Sequence, residues 1–135
     1  MTHLGVTRSE IQAENRSWLR GPHGTEPGAN PNVTLLVSLF TAGTHYPKGY
    51  IPSGIVLGRV TATGLYGPYD NTATDGREVA RGFLFGSLTV PAGIDRVASG
   101  LVRHGFVNPT KLPLQSGTGS LDAAARTDLT LIDFE

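Results

Sequence analysis

The chain contains no cysteine, which excludes disulfides, cysteine-ligated zinc and thiol nucleophiles. Charge is scarce, at 16% of residues, and balanced: eleven basic side chains face eleven acidic ones. A nucleic-acid binder needs a basic patch or stripe, so no nucleic-acid partner is expected. No apolar run approaches the roughly 20 residues that a membrane helix requires, and residues 1–15 lack the apolar centre of a secretory signal. The expectation is a soluble protein without a membrane partner. Helical periodicity is also almost absent. In its place stand 18 glycines and 9 prolines among 135 residues, a balance suited to short strands joined by turns. That length supports one domain, or one domain with an appendage.

Residues 1–32 scatter their apolar side chains without period and end in a Gly/Pro/Asn cluster, so they read as an N-terminal arm. Leu4, Val6, Ile11, Trp18 and Leu19 exceed what a plain spacer needs, and Trp18 is the only tryptophan of the chain. Two readings stand side by side. One is a disordered tail, or one whose Trp18 folds back on the body. The other is an arm on which these five are the candidate partner-binding residues, ordering for example by adding a strand to an exposed sheet edge. Residues 33–135 read as a β-rich domain. "NVTLLVSLF" (32–40) predicts a buried strand, and "TAGTHYPKGYIPSG" (41–54) a loop. "IVLGRVTATG" (55–64) predicts a strand with Gly58 as a bulge or close-packing point. "VARGFLFGSLTV" (79–90) is a further strand, residues 96–108 give one or two short strands, and "LTLIDF" (129–134) gives the last. Only "SLDAAARTDL" (120–129) predicts a helix, with Ser120 as its N-cap and Asp122 in its first turn. The fold class is therefore mainly β (α+β): a small β-rich domain with one short C-terminal helix and an extended N-terminal arm.

Motifs for chemistry are few. His3, His23, His45 and His104 share no ligand spacing, and the P-loop, G-x-S-x-G and G-x-G-x-x-G patterns are missing. "GLYGPYDNTATDGREVARGF" (64–83) gathers Asp70, Asp75 and Glu78 within nine residues. A calcium loop starting at Asp70 fails, because its sixth position, which needs glycine for the sharp turn, is Asp75. Turn chemistry accounts for the stretch better: Pro68 fixes φ, the aspartates bond their own backbone, and Gly76 tolerates positive φ. No catalytic residue, metal or cofactor is expected. Two rivals remain open: a hydrolase or metalloenzyme built on Asp70, Asp75, Glu78 and His104, and a β-rich adhesin stacking glycans on exposed Tyr46, Tyr50, Tyr66 and Tyr69.

The same stretch carries a resemblance. "SGIVLGRVTATGLYGPYDNTATDGREVARGFLFG" resembles the central segment of bacteriophage head decoration proteins of the lambda type. The shared succession is a small-residue strand entry at Ser53 and Gly54, an aromatic-acid step at Tyr69 and Asp70, a turn from Thr74 to Gly76, and a strand from Ala80 to Leu84. "LVRHGFVN" (101–108) is similar to the family's short strand pair, and "LDAAARTDLTLIDF" (121–134) to its helix and closing strand. No single motif is specific; their order over residues 30–134 is. The resemblance implies a capsid decoration protein that forms homotrimers at local threefold sites on the outer surface of the expanded phage head. It further implies that the major capsid protein is the partner, that the N-terminal arm pairs with capsid β-structure, and that the protein is made in the host cytoplasm. The arm's composition departs from the family, so its contacts do not transfer residue by residue.

Overall fold

The apolar runs become strands, most of them shorter than their runs. The computed structural model describes residues 16–22, 25, 30–47, 49–90 and 93–134. In chain order the elements are β1 (Asn32–Leu36), α1 (Ala42–His45), β2 (Tyr50–Ile51), β3 (Val56–Arg59), β4 (Tyr66–Pro68) and β5 (Ala80–Leu84). They continue with β6 (Leu88–Thr89), β7 (Arg96–Val102), β8 (Gly105–Val107), α2 (Ala123–Asp128) and β9 (Ile132–Phe134). Five strands close a barrel in the order β1-β4-β3-β5-β7, while β2-β6 and β8-β9 form separate two-stranded ladders. The β-rich α+β class read from the sequence is the observed one.

Alternation along the barrel strands sorts the core into two layers, because successive side chains on a strand point to opposite faces. Leu57, Leu84 and Leu101 join Val33 and Leu35 in one buried cluster. Their chain neighbours Val56, Phe83 and Val102 join the other, with Trp18, Ala125, Leu129 and Ile132. The first cluster fills the barrel. The second lies between the β3-β5-β7 wall and a cover made of α2, β8, β9 and Trp18. Where the wall is covered on both sides, adjacent residues are both buried, as at Val56–Leu57, Phe83–Leu84 and Leu101–Val102. Each large side chain so buried contributes about 1.5–3 kcal/mol.

Three local expectations are corrected. The run 32–40 is not one strand: it leaves the sheet after Leu36, where Val37 N–H bonds the Asp95 carbonyl at 2.7 Å, and residues 37–39 make a 3-10 turn. The predicted loop 41–54 contains α1 and β2. The C-terminal helix is capped by Asp122, whose carboxylate accepts from Ala125 N–H at 2.8 Å, while Ser120 donates to the Gly117 carbonyl instead. Gly58 is both a bulge and a close-packing point: the β3-β5 register shifts there, and an added Cβ would lie 2.7 Å from the Arg77 backbone.

Candidate functional site

The acidic loop is closed by its own carboxylates. Asp70 accepts from Thr72 N–H at 2.9 Å and from its hydroxyl at 2.6 Å. Asp75 accepts from Arg77 N–H at 3.2 Å and from its Nε at 3.0 Å, and Glu78 accepts from Gly76 N–H at 2.8 Å. The Thr72 bonds hold the Asp70 carboxyl below its ordinary range, and the Arg77 backbone N–H does the same for Asp75. Both stay ionised through neutral pH, and each is spent on one turn. Among the described residues, no three His, Asp or Glu side chains converge in a way that would hold a metal ion. The turn residues that the sequence suggested for chemistry do the work of connection: Thr61 N–H bonds the Asp75 carbonyl at 2.9 Å, fastening the loop to the end of β3.

A polar hub that sequence reading missed lies beside this loop. The Tyr69 hydroxyl donates to Asp122 Oδ1 at 2.8 Å, and Asn71 Nδ2 donates to Asp122 Oδ2 at 3.0 Å. Asp122 therefore caps α2 and ties it to the barrel wall at once. Burial and this bond raise the Tyr69 pKa well above that of a free phenol. Tyr69 is 1% exposed, so it is no glycan platform. Tyr46 and Tyr66 pack partly buried against the barrel core. The exposed set of four tyrosines expected for an adhesin is thus not formed, because three of them supply apolar area to the core.

Of the candidate arm residues, Leu4, Val6 and Ile11 lie outside the described residues. Trp18 and Leu19 are docked on the chain's own body. Trp18 is 1% exposed, its ring centroid is 5.4 Å from that of Phe83, and its indole N–H donates to Ser53 Oγ at 3.2 Å. The backbone around it adds to β8: Asn108 N–H bonds the Trp18 carbonyl at 2.8 Å, Arg20 N–H bonds the Phe106 carbonyl at 2.9 Å, and Leu19 bridges Val107 antiparallel. Arg16 completes the strap, donating from Nε to the Phe85 carbonyl at 2.7 Å with its guanidinium 3.9 Å over the Phe85 ring. The sequence signal was present, since an isolated "SWL" in polar surroundings needs a burial site, but the pocket is assembled from residues 35 or more positions away.

Large apolar side chains left exposed among the described residues are Val79, Ile94, Phe106 and Leu131, the last at 63%. Phe106 and Leu131 share the outer face of the β8-β9 ladder, where Gly105 N–H bonds the Leu131 carbonyl at 3.2 Å and Phe106 stands beside Asp133. Among the described residues no strand pairs with the far edge of β9.

Comparison with known proteins gives one decisive result. The family model for the bacteriophage lambda head decoration protein D matches residues 28–133. The chain belongs to that family. Neither a curated protein nor a solved structure gives a match. The motifs that suggested the family, from Ser53 through Leu84 and on to Phe134, fall within the matched span except for the final residue. The Trp18 strap lies ahead of it. This member of the family is thus a structural component associated with the phage head, of the capsid-decorating class.

Proposed function

We propose that this decoration protein cements the expanded phage head from outside. It binds as homotrimers at local threefold sites and bridges neighbouring major capsid subunits. The family match over residues 28–133 carries this reading. The exposed Val79, Ile94, Phe106 and Leu131 support it, since apolar side chains of this size are what a subunit or capsid contact would cover. In this reading Leu4, Val6 and Ile11 make the arm's capsid contacts by strand addition, while Trp18 and Leu19 fix the arm's root to the body. The protein is made in the host cytoplasm and acts without cofactor or catalysis.

Avidity is the mechanism. Two or three apolar side chains from one arm gain about 1.5–3 kcal/mol each on burial, and ordering costs cancel most of that. Three arms held together raise effective concentration, and avidity exceeds single-site affinity by about 10²–10⁴. A ligand that binds only the expanded shell stabilises that shell by mass action. The test is co-sedimentation with cognate shells, expanded and unexpanded, using full-length protein and a version lacking residues 1–15. Retention of the full-length protein on expanded shells alone, with loss on truncation, is the expected result. Absence of retention on either shell would overturn the proposal.

A further inference from the structure

His45 is 2% exposed at the end of α1, and both of its ring nitrogens are committed. Nδ1 accepts the Thr41 N–H at 2.8 Å, which leaves the ring proton on Nε2. Nε2 faces the Thr118 carbonyl at 3.0 Å and the Thr118 hydroxyl at 3.1 Å. The imidazole therefore joins the 41–45 turn to the 114–119 loop, and only as the neutral Nε2–H tautomer. A second proton would sit on Nδ1, where the Thr41 N–H already points, so donor would oppose donor. The Phe40 ring packs T-shaped against the imidazole, 5.6 Å away between centroids, and brings no hydrogen-bond acceptor to it.

The imidazole also forms part of the wall of a 290 Å³ cavity shared with Thr44, Tyr50, Ser53, Lys111 and Leu114. Lys111 and Tyr50 are the titratable groups on that wall with His45, and among the described residues lining it there is no carboxylate to welcome an imidazolium. Ser53, on the same cavity lining, accepts the Trp18 indole N–H.

We propose that His45 is an acid-sensitive clasp: its protonation frees the 41–45 turn and, through the shared cavity wall at Ser53, loosens the docked Trp18 strap. Decoration would then be tighter or looser with the acidity of the surroundings, a property independent of which surface the protein decorates. The sign follows from burial, which lowers the pKa of His45 from 6.5, against a smaller upward pull from the Thr118 bond. As pH falls, the open form takes its proton first. The clasp is intact above about pH 6.5 and is lost as pH drops through the lower value of the closed form.

The test uses the full-length protein between about pH 8 and 4.5, above the range where Asp70 and Asp75 titrate, both being held below 3.8. Imidazole nitrogen NMR should show the Nε2–H tautomer at the upper end. Below about pH 6.5 the protection of the Thr41 amide should fall by up to about tenfold per pH unit. Emission of Trp18, the only tryptophan, should shift red in the same transition, and His45→Gln should abolish that shift. An Nδ1-protonated tautomer at neutral pH would overturn the clasp. So would a Thr41 amide and Trp18 emission that ignore the titration, or a red shift that persists in His45→Gln. If His45→Gln does not fold, the wild-type NMR and exchange data decide alone.

Discussion

Replacing Trp18 by alanine removes the largest buried side chain of the outer core layer and should unfold the protein at a markedly lower temperature. The indole is 1% exposed, contacts Phe83, and belongs with Val56, Tyr69 and Val107 to one cluster. Deletion of a buried aromatic ring of this kind costs about 3–5 kcal/mol. The Leu19–Val107 bridge and the Arg16 contact lose their anchor as well, so the upper half of that range is expected. A domain of this size holds about 5–15 kcal/mol in total, so the variant should still fold. At about 3–5 °C per kcal/mol for such a chain, the melting temperature should drop by roughly 12–25 °C. Differential scanning calorimetry, or urea unfolding followed by far-ultraviolet circular dichroism, measures this. Trp18→Phe keeps most of the packing, loses the 3.2 Å bond to Ser53, and should cost only about 1–2 kcal/mol. A Trp18→Ala melting temperature within about 2 °C of the parent would refute the docked strap, since it would leave room for less than 1 kcal/mol. Loss of shell binding with unchanged stability would instead return Trp18 to a capsid-contacting role.

Three further outcomes follow from the same geometry. Gly76→Ala must place a Cβ against the Arg59 carbonyl and the Thr61 hydroxyl at φ +117°, and should cost about 2–5 kcal/mol in urea unfolding. A change under about 0.5 kcal/mol would mean that the acidic loop is not clamped to β3. Asp122→Ala removes both the α2 cap and the acceptor of the buried Tyr69 hydroxyl, for a loss of about 2–4 kcal/mol, whereas Ser120→Ala should lose about 1 kcal/mol or less. Equal losses would contradict the assignment of the cap. Calorimetric titration with Ca²⁺, Mg²⁺ or Zn²⁺ should give no binding heat, because Asp70, Asp75 and Glu78 already hold backbone donors. A melting temperature raised by several degrees at about 1 mM metal would reveal a site.

The sequence displays the barrel wall well and its cover poorly. The strands at 56–59 and 80–84 announce themselves through buried apolar neighbours, Val56 with Leu57 and Phe83 with Leu84, whereas 96–102 is partly polar and buried only at Leu101 and Val102. Helix α2 is visible from its alanines, yet its start is not: Ser120 and Asp122 are equally good caps by chemistry, and the choice falls to Asp122 through Tyr69 and Asn71, some fifty residues upstream. The same reason hides the end of β1, which is set by Asp95. His45 sits in a stretch that reads as a loop because its partner, Thr118, contributes nothing to any local pattern. The acidic stretch was legible as turns, since aspartate bonds to nearby backbone are local by nature.

The pairing of β1 with β7 has a consequence during synthesis. Leu36 pairs with Arg96 and Asn32 with Gly100, so β1 waits for residues 60 and 68 positions later in the chain. At a translation rate of about 5–20 residues per second, that interval lasts about 3–14 s. Throughout it, Val33 and Leu35 leave the ribosome without the strand that will cover them, and the β4 contact, a single Leu35–Tyr66 register pair, is too slight to substitute. The nascent chain therefore passes through a stage in which a strand edge and its apolar face stand open together.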